Sequence, residues 1–168
     1  MKPSDLVVSR WGARFMGRRI PCSIGKGGFV ADKREGDGGT PRQEMRLVGG
    51  GFRQSRLRQP HVPFPMRAIG PADVWSDDSC DPDYNSQKTQ RFYKFSHETL
   101  FRSDPLYDVV LYTDYNYPQA TLGLGSAIFV HQWRKPRHPT EGCIAFSRQN
   151  LQWILARWTP YSRIIVKA

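Results

Sequence analysis

A histidine and a cysteine near the C-terminal end carry the most specific chemical signal in this sequence. His131 ends an apolar run, and Cys143 follows directly after Gly142. A cysteine nucleophile needs a base that forms the thiolate near neutral pH, and histidine is the side chain suited to that task. Glycine allows a tight turn in which successive backbone N–H groups can stabilise an oxyanion. The pattern indicates acyl transfer through a thioester.

The spacing alone leaves other interpretations of these residues open. His131 and Cys143 could be unrelated in the fold, and His138 lies nearer to the cysteine in sequence and could be its partner instead. A zinc site made of these three side chains lacks a fourth ligand nearby, and the chain contains no CxxC pair. We therefore expect no metal. Cys22 and Cys80 could form a disulfide in an oxidising compartment, but two ordinary buried thiols are the favoured interpretation.

Two strands and one helix are predicted around the histidine and the cysteine. Residues 108–113 and 125–131 are rich in β-branched and aromatic side chains, which favours strands. Ser147 occupies an N-cap position, and a helix that ends at Pro160 is predicted after it. The apolar side chains that share one face of this helix are Leu151, Ile154, Leu155 and Trp158.

The rest of the chain predicts a strand-rich single domain over residues 1–168. Ser96 is expected to cap a short helix through residue 101, and the proline-rich residues 59–67 are expected to form an extended strap without a regular ladder. A glycine-rich, charged loop covers residues 25–41. Short strands divided by Gly12, Gly17 and Pro21 are predicted within residues 6–9, 14–20 and 22–24, and a closing strand is predicted at residues 162–167. The predicted fold class is mainly β, with one clear C-terminal helix and few short helices.

The charge distribution and the hydropathy limit the possible partners. The net charge is +10, but both ends are basic and residues 69–122 are acidic. An acidic middle argues against a simple nucleic-acid stripe, so no nucleic acid is expected. No stretch approaches the roughly 18–20 apolar residues of a membrane span. The longest apolar run near the N-terminus is residues 6–8, so no signal peptide is predicted.

Residues 125–146 resemble the active-site signature of the L,D-transpeptidase (YkuD-type) family. In that signature a histidine ends a strand, a variable loop follows, and then comes Ser/Thr-x-Gly-Cys; the matching residues are His131, Thr140, Gly142 and Cys143. The glycine-rich loop and Thr40-Pro41 resemble the family's glycine turn and Thr-Pro loop. The resemblance covers roughly residues 6–166, is strongest to the short proteobacterial branch, and implies a YkuD-type β-sandwich.

The resemblance implies a role for each residue of the signature. Cys143 would attack the carbonyl of a donor stem peptide, and His131 would take the thiol proton and later activate the acceptor amine. The backbone carbonyl of Gln132 would orient the His131 ring. The oxyanion hole would consist of the backbone N–H groups of Glu141, Gly142 and Cys143.

The implied substrates are peptidoglycan stem peptides, with a diaminopimelate side-chain amine as the acceptor. Carbapenem β-lactams would acylate the same cysteine, and no cofactor or metal is implied. The implied location is the periplasm or cell envelope, although the sequence predicts no signal peptide. The candidate substrate-binding residues are Thr140, Thr40, Trp133, Tyr84, Asn85, Arg102 and Pro63.

The sequence departs from the family pattern at three points. Glu141 stands where the family usually has histidine, and its charge is expected to oppose thiolate formation unless a cation offsets it. The candidate cations are Arg134, Lys135 and Arg137. Ala145 stands where many members have arginine or asparagine, and the loop before Cys143 is short. Third-to-third and first-to-third cross-links both remain possible products. Alternative functions are an L,D-carboxypeptidase or endopeptidase that uses the same site, and a catalytically silent basic module that binds cell wall or nucleic acid.

Overall fold

The computed structural model describes residues 1–167, which contain fifteen strands and one helix. The mainly β prediction with one C-terminal helix is confirmed. The strands are β1 (Leu6–Ser9), β2 (Gly12–Phe15), β3 (Arg18–Ile20), β4 (Phe29–Val30), β5 (Thr40–Pro41), β6 (Glu44–Met45), β7 (Leu47–Phe52), β8 (Met66–Ala68), β9 (Asp73–Ser76), β10 (Gln87–Thr89), β11 (His97–Thr99), β12 (Val109–Thr113), β13 (Phe129–Gln132), β14 (Ile144–Phe146) and β15 (Ile164–Val166); the helix is α1 (Arg148–Leu155).

Two five-stranded sheets pack face to face as a β-sandwich. The first has the order β3-β2-β1-β15-β6, and the second has the order β14-β13-β12-β7-β8. Phe15 from the first sheet, Leu111 and Val130 from the second, and Leu151 from α1 belong to one buried apolar cluster. Burial of this shared apolar surface is the main force that holds the sheets together.

The second sheet is buried on its other face as well. A three-stranded sheet, β10-β9-β11, contributes Trp75 to a second apolar cluster that also contains Val110, Tyr112, Phe129 and Cys143. Every residue of β12 is therefore buried, which explains its continuous apolar sequence. The predicted nucleophile lies in this second cluster.

Most predicted strands are present, and the departures from prediction are local. The predicted division at Gly17 is confirmed, because Met16 and Gly17 have positive φ and separate β2 from β3, but Gly12 begins β2 instead of dividing two strands. Residues 22–24 form only an isolated bridge between Ser23 and Ala145. The helix predicted after Ser96 is wrong, because residues 97–99 form β11 and pair with β9.

The C-terminal helix begins as predicted, but it ends early. The Ser147 hydroxyl accepts a hydrogen bond from the Asn150 N–H at 3.1 Å, which caps the helix. The helix ends at Leu155, so Pro160 does not end it, although Trp158 still packs into the core. Within residues 1–167, no helix is long and apolar enough to cross a membrane.

Two further expectations need correction. The last residues of the proline-rich strap do join a ladder, because β8 pairs with β7 in parallel. All three cysteines are free thiols, so no disulfide joins Cys22 to Cys80. Cys80 is exposed, so the expectation of two buried thiols was wrong for this residue.

Candidate active site

Parallel strand pairing brings His131 and Cys143 to the same face of the second sheet. Val130 pairs with Ile144 and His131 pairs with Ala145, so Cys143 lies beside Phe129 at the start of the pairing. Side chains alternate between the faces of a strand, and Phe129 and His131 therefore point to one side. Cys143 packs on that same side, and its sulfur accepts a hydrogen bond from the Phe129 N–H at 3.4 Å. Residues twelve positions apart in sequence thus share one site.

The Cys143 thiol is buried and protonated in the resting protein. Its side chain is 9% exposed, and its S–H donates to the Ala127 carbonyl at 3.1 Å. Burial raises the pKa of the Cys143 thiol to about 12, and the nearby charges of Glu98 and Glu141 act in the same direction. Cys143 is therefore a neutral thiol whose S–H is bound to a backbone carbonyl and shielded from solvent.

The His131 ring is held in one tautomer. Its Nδ1 lies 2.7 Å from the Gln132 carbonyl oxygen, which can only accept, so Nδ1 carries the proton and Nε2 is free to take one. The Tyr107 ring packs edge-on against the imidazole, with the ring centroids 5.2 Å apart. Burial lowers the pKa of His131 to about 4, so the ring is neutral at pH 7. A neutral, oriented imidazole is the form that a general base requires.

The turn before the nucleophile is fixed by the glycine-rich loop. Gly142 has a φ of 139°, and a Cβ at this position would lie 2.9 Å from the Gly39 carbonyl oxygen. The Thr40 hydroxyl donates to the Gly142 carbonyl at 2.8 Å and accepts from the Gly25 N–H at 2.8 Å. Both the backbone angle and the close approach of the loop therefore require glycine at position 142.

Backbone N–H groups surround the nucleophile at this turn. The Gly142 N–H donates to the Thr140 hydroxyl at 3.2 Å, and that hydroxyl donates to the Cys143 carbonyl at 2.6 Å. Within residues 1–167, the N–H groups of Glu141 and Cys143 make no hydrogen bond. Two unpaired donors therefore flank the thiol, where an oxyanion would need them.

A comparison with protein-family models decides the family. The model described as the L,D-transpeptidase catalytic domain (YkuD) matches residues 8–166, which is nearly the whole chain. The chain belongs to this family. Searches of the curated proteins and of the solved structures gave no match.

A cavity of about 330 Å³ opens over the Cys143 side chain. It brings together many of the residues that the sequence predicted, and it adds several that the sequence analysis missed. The predicted residues that line it are Arg102, His131, Trp133, Thr140, Glu141 and Cys143. Those that were missed include Glu35, Asp77, Glu98, Tyr107, Ser126 and Ala127. These six lie far from the signature in sequence or come from its irregular first half.

Four predicted substrate-binding residues do not line this cavity. Pro63 is exposed in the proline-rich strap, and Thr40 is fully buried beneath the Gly142 turn. Tyr84 is buried, and its hydroxyl donates to Glu35 at 2.5 Å. Asn85 is also buried and has a φ of 56°. The structure therefore brings none of the four to the place where a substrate carbonyl would meet the thiol.

Asn85 instead orients the backbone that holds the thiol. Its Oδ1 accepts from the Ala127 N–H at 3.0 Å and from the Trp75 indole at 2.9 Å. Ala127 has a φ of 51°, which is uncommon for a residue with a side chain. Asn85 therefore positions Ala127, whose carbonyl accepts the Cys143 S–H. The predicted strand at residues 125–131 is consequently irregular until Phe129.

The charge of Glu141 is offset by a different cation from those predicted. Lys26 Nζ lies 2.6 Å from Glu141 Oε2, and both side chains are exposed. Within residues 1–167, the three candidate cations Arg134, Lys135 and Arg137 form no ion pair with Glu141. Lys26 belongs to the glycine-rich loop, which passes beside the nucleophile turn. An exposed pair of this kind contributes little stability, but it reduces the negative charge beside the thiol.

Replacing Thr40 by valine tests the support of the nucleophile turn. The substitution keeps the shape and removes two buried hydrogen bonds, to Gly25 and to Gly142. We expect a loss of about 1–3 kcal/mol in the free energy of unfolding and at least a tenfold slower acylation of Cys143. Denaturant unfolding measures the change in the free energy of unfolding, and quenched-flow mass spectrometry measures the rate of acylation. Thr40→Ser keeps the hydroxyl and should retain most of the stability and most of the acylation rate. Equal losses in Thr40→Val and Thr40→Ser would contradict the role of the hydroxyl in supporting the turn.

Proposed function

We propose that this domain is a peptidoglycan L,D-transpeptidase that joins stem peptides through a thioester on Cys143. One observation carries the proposal. The thiol and the oriented imidazole lie on one sheet face and line one cavity, with unpaired backbone donors beside the sulfur. Family membership supplies the substrate class, because L,D-transpeptidase domains act on peptidoglycan peptides.

The first half of the proposed reaction acylates the cysteine. The Cys143 S–H leaves the Ala127 carbonyl and passes its proton to Nε2 of His131 while the sulfur attacks the donor carbonyl carbon. The unpaired N–H groups of Glu141 and Cys143 stabilise the oxyanion, whereas the Gly142 N–H is already bound to the Thr140 hydroxyl. The intermediate collapses, the donor C–N bond breaks, and the leaving amine takes the proton from His131. The product is a thioester on Cys143, the thiol proton has left with the amine, and His131 is neutral again.

The second half transfers the acyl group to the acceptor. A neutral diaminopimelate amine attacks the thioester carbon, and Nε2 of His131 takes its proton as the new C–N bond forms. The C–S bond then breaks, and the thiolate recovers its proton from His131. The proposal covers third-to-third and first-to-third links, since both use the same steps. Water in place of the amine would make the enzyme an L,D-carboxypeptidase.

The orientation of the ring supports His131 over His138 as the base. His131 is buried on the strand next to Cys143, and its Nδ1 is bound to a backbone carbonyl. His138 also lines the cavity, but it lies on the loop between the two strands. Within residues 1–167, no group of three or more His, Cys, Asp or Glu side chains could hold a metal ion. The proposed mechanism uses only side chains and backbone groups of the chain.

Product analysis tests the proposed function. Purified muropeptides are incubated with the wild type and with Cys143→Ala under reducing conditions, and the products are separated and fragmented. Dimeric muropeptides that appear only with the wild type support a transpeptidase, and their fragments identify the linked positions. Trimmed stems without dimers would favour the hydrolase. If no peptide changes while the protein binds nucleic acid in a salt-dependent way, the proposal fails in favour of a binding module.

The pH dependence of acylation tests the state of the base. Because His131 must be unprotonated and its pKa lies at about 4, we expect kcat/KM for thioester formation to stay high as the pH falls from 7 to 5. The rate should decline only near pH 4, where the ring gains its proton. Circular dichroism at each pH separates this decline from acid unfolding. A decline centred between pH 6 and 7 would contradict the buried, neutral imidazole.

A further inference from the structure

The lining of the catalytic cavity carries more negative than positive charge, with four carboxylates against the two arginines Arg102 and Arg134. Glu35, Asp77 and Glu98 all line the cavity that contains Cys143. Arg102 pairs with Glu98 at 3.1 Å, but it also binds Asp104 through two hydrogen bonds of 2.9 and 2.8 Å. Within residues 1–167, neither Asp77 nor Glu35 forms an ion pair with lysine or arginine. These carboxylates would therefore attract a cation into the cavity.

The electrostatic effects on Glu98 and Cys143 show that these groups interact. Burial raises the pKa of the Glu98 carboxyl, and the charge of Asp77 raises it further. The charge of Glu98 in turn opposes ionisation of the Cys143 thiol. A positive group placed against Glu98 would reduce both effects, since unlike charges favour each other's ionised form.

A buried hydroxyl without a partner lines the same cavity. Ser126 is 8% exposed and lines the cavity, and its Oγ makes no hydrogen bond with residues 1–167. The neighbouring Tyr84 hydroxyl donates to Glu35 instead. Asp77 Oδ1 is likewise buried without a partner. Buried polar atoms are usually hydrogen bonded, so two unpaired ones beside a cavity point to a polar ligand.

We propose that Glu98, Asp77 and Ser126 form a subsite for a substrate ammonium group beside Cys143. An ammonium has three donors and no acceptor, which complements two carboxylates and a hydroxyl oxygen. In a stem peptide the matching group is the free side-chain amine of diaminopimelate, so this inference rests on the proposed function. Binding of the ammonium would also offset the Glu98 charge and make the thiol easier to ionise. The substrate would thereby assist its own attack by Cys143.

The ammonium could belong to the donor or to the acceptor stem. An acceptor amine must be neutral when it attacks, whereas carboxylates stabilise its protonated form. The subsite therefore suits an amine that does not react in the step being catalysed. For the first step this is an amine of the donor, and between steps it is an acceptor waiting to lose its proton.

Direct binding tests the subsite without catalysis. Two stem tripeptides, one with a free side-chain amine and one with that amine acetylated, are titrated into Cys143→Ala by calorimetry. We expect the free amine to bind at least tenfold more tightly. Adding Glu98→Gln or Asp77→Asn should remove most of this difference, because each variant keeps the shape and removes one charge. Adding Asp32→Asn, which changes an exposed carboxylate outside the cavity, should preserve it.

The outcomes separate this inference from the proposed function. Equal affinity for the two tripeptides, or no binding of the free amine, would overturn the subsite even if the enzyme forms dimers. A tenfold difference that depends on Glu98, together with a failure to form any thioester, would support the subsite and contradict the transpeptidase. If circular dichroism shows that the Glu98 variant does not fold, the difference in affinity of the two tripeptides for Cys143→Ala still tests the subsite.

Kinetics with the active cysteine identify the source of the ammonium. Thioester formation is measured with donor peptides whose side-chain amine is free or acetylated. Slower acylation by the acetylated donor, lost in Glu98→Gln, would assign the subsite to the donor stem. Equal acylation rates combined with the binding difference would assign it to the acceptor stem.

Discussion

Cys143→Ala is expected to abolish thioester formation and cross-linking, with a loss of at least about 10⁴-fold in rate. The thiol is the attacking group in the first half-reaction and the leaving group in the second, and within residues 1–167 no other cysteine lines the cavity. The side chain is buried but small, so the variant should fold, with a reduced free energy of unfolding from the lost contacts. Activity is measured by formation of muropeptide dimers, and folding is measured by circular dichroism.

Cys80→Ala is the matched control for this substitution. Cys80 is an exposed free thiol, so its replacement should leave the rate of dimer formation unchanged. Cys143→Ser keeps a hydroxyl that can donate to Ala127 but lacks the reactivity of a thiol, and it should be as inactive as the alanine variant. Cross-linking by Cys143→Ala above a few per cent of the wild-type rate would show that another group is the nucleophile.

His131→Asn is expected to lower the rate of acylation by about 10²–10⁴-fold. Asparagine can still donate to the Gln132 carbonyl but cannot take a proton at neutral pH, so the substitution removes the base and keeps the local hydrogen bond. The thiol would then have to ionise alone, against a pKa of about 12. The readout is the rate of adduct formation with stem peptide, followed by intact mass.

The same substitution at His138 provides the comparison. His138 lines the cavity from the loop, and its replacement should cost far less than that of His131. The activity of His131→Asn should also rise with pH above 8, where hydroxide replaces the lost base, whereas the wild type should not show this rise. If His138→Asn is the inactive variant, the loop histidine is the base and the assignment from strand register is wrong.

Local patterns predicted much of the frame around the site. Residues close together in sequence predicted β1 and β12, through their β-branched side chains, and the start of α1, through the N-cap at Ser147. The structure confirms these three elements. Ser96 had the same cap chemistry but no helix follows. Its N–H lies 3.2 Å from Asp78 Oδ2, and β11 pairs with β9. Tertiary pairing outweighed local propensity there.

The details around the thiol depend on contacts between distant residues. Ala127 adopts its left-handed conformation while Asn85, forty-two positions earlier, accepts its N–H, and no local pattern indicates this. Lys26 reaches Glu141 because the glycine-rich loop packs against the nucleophile turn. Asp77 and Glu98 come to the cavity through β9 and β11, whose place in the fold is set by strand pairing. The family signature could indicate the nucleophile and the base, but not these supporting groups.

The most direct test of the central claim is the intact mass of the protein after incubation with a donor stem peptide and no acceptor. We predict a mass increase equal to the acyl portion of the donor, located on Cys143 by peptide mapping and removed by hydroxylamine. The adduct should be absent in Cys143→Ala and strongly delayed in His131→Asn. Turnover of the donor by the wild type without any adduct on Cys143, or an adduct on another residue, would contradict the account.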